Sequence, residues 1–63
     1  MIDISKIKPG VKIKVKDGAI LHVRGSYLSV EGLIIRAKPD PSGPYERNCP
    51  LGDIEEILQE GGQ

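Results

Sequence analysis

Val11-Lys12-Ile13-Lys14-Val15-Lys16-Asp17-Gly18-Ala19-Ile20-Leu21-His22-Val23 is the stretch that decides the fold. In its first arm apolar and charged residues alternate without a slip. Val11, Ile13 and Val15 point one way, and Lys12, Lys14 and Lys16 the other. Period 2 is the spacing of a half-buried strand. Asp17-Gly18 then supplies two positive-φ positions of a tight hairpin turn, which Gly tolerates freely and Asp better than most residues. The second arm sets Ala19, Leu21 and Val23 on one face, with Ile20, His22 and then Arg24 on the other. The stretch predicts a β-hairpin with three aliphatic side chains turned inwards and the lysines in water.

Upstream, Ile4 and Ile7 are three apart, so one helical turn capped by Asp3 brings them to one side. Pro9-Gly10 ends that turn and redirects the chain. Ile2, Ile4 and Ile7 are expected to plug an open end of a barrel. The segment is too short to form an interfacial membrane helix by itself.

Downstream, Gly25-Ser26 reads as a turn or bulge and Glu31-Gly32 as a bulge interrupting a strand pattern. Between them Leu28 and Val30 share a face. Leu33-Ile34-Ile35 is apolar on both faces. A small barrel has only one inside, so Ile20 and Ile34 are expected to face outwards and to serve self-association. Single surface hydrophobes are nonetheless common and need no special cause. Residues 38–44 hold three prolines and one glycine. They suit a hairpin connection better than a phosphate cradle, which needs free backbone N–H groups, or a polyproline ligand. Residues 45–49 read as the fourth strand, with Tyr45, Arg47 and Cys49 on one face. For the end of the chain a short helical turn at residues 51–53 and a fifth strand compete with a capped helix over 53–60. Turn plus strand is the reading adopted, with residues 59–63 as a frayed tail.

With 63 residues there is room for one domain, 1–63, whose first nine residues form the N-terminal turn. A chain of this length buries only about 60% of its unfolded surface and is marginal as a monomer. Nine Ile, five Leu and four Val supply one small core, with no Phe or Trp to fill a wide one. One cysteine cannot make an intramolecular disulfide, which suits a reducing, cytoplasmic setting. No apolar run is long enough to span a membrane. Net charge is zero, but residues 1–16 carry five Lys and one Asp, while residues 53–63 carry four acids and no base. First and last strands lying side by side would neutralise each other. A basic patch for nucleic acid is the other reading.

No constellation for catalysis or metal binding emerges. Cys49 needs a neighbouring base to act as a nucleophile, and the single His22 has no spacing relation to it. One Cys and one His fall short of the roughly four ligands zinc takes. No catalytic residue, cofactor or metal is therefore expected.

The order of features resembles a five-stranded SH3-like barrel with short helical turns before the first and last strands. Within that class it is similar to the type II dihydrofolate reductases of plasmids, through Pro9-Gly10, Lys16-Asp17-Gly18-Ala19, Glu31-Gly32 and Pro50-Leu51-Gly52-Asp53-Ile54-Glu55-Glu56-Ile57. That resemblance implies four barrels around one pore that binds NADPH and dihydrofolate, lined by a Val-Gln-Ile-Tyr stretch before the proline. Here the matching residues are Glu46-Arg47-Asn48-Cys49, and none agrees. The reductase function is not carried over; Arg47 at such a pore would favour an anion instead.

The expected function is a non-enzymatic binding or assembly module acting through self-association, as a homo-oligomer, or through contact with a protein partner. The alternative is a nucleic-acid-binding barrel using Lys12, Lys14, Lys16, His22 and Arg24 on the outer face of the hairpin. An oligomeric reductase is the third.

Overall fold

Alternation in the first arm gives β1 (Lys12–Val15), in which half-buried lysines alternate with buried aliphatic residues. In the computed structural model, which describes residues 3–59, β1 is joined by β2 (Ile20–Ser29), β3 (Gly32–Lys38), β4 (Arg47–Pro50) and β5 (Ile54–Gln59). The five form one all-antiparallel sheet in the order β4-β3-β2-β1-β5. Short 3-10 turns at Ile4–Lys6 and Leu51–Asp53 precede the first and last strands. The all-β class and the turn-plus-strand ending are as the sequence predicts; residues 60–63 of the expected tail lie outside the described residues, and Gln59 belongs to β5.

The hairpin forms by a different turn from the expected one. Gly18 donates its N–H to the Val15 carbonyl at 2.9 Å, and Val15 donates to the Ala19 carbonyl at 3.0 Å. Gly18 has φ +94°, while no non-glycine residue among those described has positive φ. Asp17 therefore does not take a left-handed position. The loop is a turn of type I followed by one left-handed glycine, the usual three-residue hairpin. The Asp17 carboxylate accepts the Ala19 N–H at 3.0 Å, a local bond that already holds the residue in place.

Beyond Val23 the pairing slips. Val23 opposes Ala37, but Gly25 opposes Arg36, so Arg24 is an extra residue in β2. One inserted residue exchanges the faces of everything after it. Leu21 and Val23 face inwards; past the bulge Ser26 opposes the buried Ile35, and Tyr27 opposes Ile34 on the outer face. Glu31-Gly32 is not a bulge. It belongs to the tip of the β2–β3 hairpin, where Ser29 pairs with Gly32 and Gly32 has φ +112°. Ser29 Oγ accepts the Glu31 N–H and donates to the Gly32 carbonyl, both at 3.1 Å.

The core is a single cluster drawn from every strand, with Val11, Ile13, Leu21, Ile35 and Ala37 wholly excluded from water. Extents of 29 × 24 × 21 Å are those of a sheet curled round its inner face, since a flat sheet is one layer about 10 Å deep. Two expectations for the apolar residues change. Ile7 joins the core, but Ile4 stands half exposed, because the 3-10 turn ends at Lys6 and Ile7 already has extended backbone, so the two do not share a helical face; Ile2 lies outside the described residues. Ile34 does face outwards, but at 7% exposure it is not open surface: it is covered within the chain, between its register partners Tyr27 on β2 and Pro50 on β4. The fourth strand starts two residues late, at Arg47, leaving Tyr45 in the connection and exposed.

β5 returns beside β1, with Ile13 opposite Ile57 and Val15 opposite Ile54. Lys14 Nζ lies 3.7 Å from Glu55 Oε1, and Lys16 donates its N–H to the Asp53 carbonyl at 2.9 Å. The acidic end thus lies against the lysine strand.

Candidate functional site

Register fixes which charged side chains share a face. Lys12 opposes His22 across β1–β2, and His22 opposes Lys38 across β2–β3. Directly opposed residues project from the same side of a sheet, so these three form a row on the outer face. Arg24 stands at the bulge beside it, and Arg36 follows on β3. Arg36 Nε and Nη2 donate to Glu46 Oε1 and Oε2 at 3.0 and 3.2 Å. That fork lowers the Glu46 carboxyl below its ordinary range and raises the Arg36 guanidinium. Lys38 Nζ donates to the Gly43 carbonyl at 3.2 Å, closing the residue 39–46 connection. Asp40 is held low by the Ser42 N–H at 3.0 Å and then by the Ser42 hydroxyl at 2.9 Å.

Of the basic residues read from the sequence, Lys12, His22 and Arg24 come together on this face. Lys14 is drawn towards Glu55, and Lys16 lies in the hairpin turn away from the row. Lys38, Arg36 and Tyr27 were not foreseen there. Gly25 was the available signal, because a bulge at that position reverses the facing of Tyr27.

Arg47 lies elsewhere. With Val15, Lys16, Asp17, Cys49 and Asp53 it lines a cleft of about 150 Å³ at one end of the sheet. Its Nη2 donates to Asp17 Oδ2 at 3.0 Å. Asp17 is held below the usual carboxylate range by the Ala19 N–H and then by Arg47. Two cations and two carboxylates leave the cleft without net charge, which gives no preference for an anion. Burial pushes the Cys49 thiol up. Cys49 opposes Ile35 on the inner face while His22 opposes Lys12 on the outer, so the sheet separates thiol from imidazole and they cannot form a nucleophile–base pair.

The third feature is apolar. β2 pairs with β1 from Ile20 to His22 and still bonds through Val23 to Val11 and Gly10 just before β1, and β4 pairs with β3 only as far as Ile34. Residues 28–33 therefore project as a two-stranded arm beyond both neighbours. Leu28 is 80% exposed and Val30 fully so, with Leu33 opposite Leu28 packed partly on the core. Ile20 is 41% exposed on the outer face.

Among the described residues no group of three or more His, Cys, Asp or Glu could hold a metal ion, and no helix is long and apolar enough to cross a membrane. Comparison with protein-family models, curated proteins and solved structures found no match. The likeness to SH3-like barrels and type II reductases thus rests on the order of sequence features alone.

Proposed function

We propose that the chain is a non-enzymatic assembly module, an SH3-like barrel that self-associates through its β2–β3 arm. The observation that carries this reading is the exposure of Leu28 and Val30 on a ribbon projecting past the rest of the sheet. A two-stranded ribbon is marginal in water by itself, and exposed apolar surface of this kind marks contact sites. Ile20, exposed on the outer face, stands at the opposite end of β2 from Leu28 and is not part of this contact. A second copy covering the arm would stabilise it and remove the apolar surface together, which matters in a chain with so small a core.

Sedimentation at micromolar concentration tests this. The wild-type chain is expected as a dimer or larger, and the Leu28→Asp/Val30→Asp variant as a folded 6.8 kDa species. A wild-type chain that sediments only at 6.8 kDa, or a variant that associates as strongly, would overturn the reading.

A further inference from the structure

A second surface, independent of the arm's apolar tip, carries a different ligand. The bulge at Arg24 turns Tyr27 onto the same outer face as the Lys12–His22–Lys38 row. Without the extra residue, Tyr27 would follow Leu21 and Val23 inwards. Bulges often re-aim a side chain in this way at functional positions. Tyr27 is 44% exposed, so part of its ring is open. The guanidinium of Arg36 reaches back over the bulge: a Cβ built on Gly25 would lie 4.0 Å from Arg36 Nη1. The face therefore combines one partly open aromatic ring with Lys12, Arg24, Arg36 and Lys38.

Two carboxylates share this face: Glu46, forked by Arg36 and also close enough to act on Lys38 and Arg24, and Asp40, bonded by Ser42 and close enough to act on His22 and Lys38. Lys12, Arg24 and Lys38 form no ion pair with a described residue. The acids of β5 lie across β1 on the far edge of the sheet. Lys12, Arg24 and Lys38 are like charges on three adjacent strands, so a polyanion laid across them meets cations at successive positions. Lys12 and Lys38 are two strand spacings apart, about 10 Å.

We propose that the outer face of β2 and β3 binds single-stranded nucleic acid, with phosphates on Lys12, Arg24 and Lys38 and one base stacked on Tyr27. Cations that track the backbone beside an aromatic ring that accepts any base are the two parts such binding uses. The site reads no sequence, because nothing on this face presents a base-specific pair of donors and acceptors. Three phosphate contacts predict that log K falls with log salt with a slope of about −2.

Fluorescence anisotropy with labelled oligo-dT and oligo-rU at low salt, followed by a salt series, tests the proposal. Both are expected to bind, with that slope. Arg24→Glu and Lys38→Glu should each weaken binding about tenfold or more, and each bound oligonucleotide should raise the melting temperature. Tyr27→Leu, which keeps cover over Ile34, should weaken it about 5-fold or more, the lower end of the stacking range. Lys16→Glu, in the hairpin turn away from the row, should change affinity least. Circular dichroism confirms that each variant is folded; if Tyr27→Leu unfolds, Arg24→Gln carries the test through its loss of salt slope. Absence of binding at low salt overturns the proposal. So does equal binding of heparin with no effect of Tyr27→Leu, which would show a patch for polyanions in general. A Lys16→Glu effect as large as that of Arg24→Glu would show unspecific attraction and overturn it too.

Discussion

At Asp17 one exposed carboxylate accepts the Ala19 N–H and the Arg47 guanidinium, tying the first hairpin to the start of β4. Its partner in the turn, Gly18, has open space where a Cβ would go but a φ of +94°. The cost of Gly18→Ala is therefore backbone strain alone, about 1–2 kcal/mol, read as a lower urea midpoint; Gly18→Asn should cost less. Asp3, Asp17, Asp40 and Glu46 are all held below the ordinary carboxylate range by hydrogen bonds and, for Asp17 and Glu46, also by arginines. A depressed folded pKa contributes stability that is complete above the unfolded value and is lost as pH falls through the folded one. The urea midpoint should accordingly be flat near neutrality and fall below about pH 4, where carboxylates titrate. A midpoint that held or rose there would contradict these bonds. Cys49 has the opposite sign: burial raises its thiol, so it should react with an aromatic disulfide reagent only at the rate of unfolding.

The first hairpin was legible because its signals are local: strict alternation, then Asp-Gly. What the sequence leaves open depends on partners distant along the chain. Gly25 announces an interruption, but that Arg24 is the extra residue, and that Tyr27 is thereby turned outwards, is decided by the pairing with β3. Glu31-Gly32 reads as a bulge in the sequence because apolar runs continue on both sides; two strands of one hairpin leave the same trace. Ile34 looked outward on period alone, and the flanking Tyr27 and Pro50 cover it. The contrast between body and arm is testable by substitution. Ile13→Ala, at a site with no exposure, should cost about 2–5 kcal/mol and unfold a chain of this size. Leu28→Thr should leave monomer stability within about 0.5 kcal/mol. Loss of the strand signal in circular dichroism by both variants would show that the arm belongs to the core.

Across the whole molecule, charge is sorted by strand. The lysines of β1 lie between the acids of β5 and the cations of β2 and β3, so a chain with zero net charge still presents one basic face. The curled sheet, the basic face and the apolar arm all depend on one event, the departure of β2 from β1 at the Arg24 bulge. Its most direct test is residue-resolved amide hydrogen exchange at micromolar and at millimolar protein. Amides of Leu21, Val23 and Ile35 should be protected at both concentrations. Those of residues 28–33 should exchange fast when dilute and become protected only when concentrated, as copies cover the arm. Protection of residues 28–33 equal to that of Leu21 at every concentration would contradict the division into a folded body and an arm that waits for a partner.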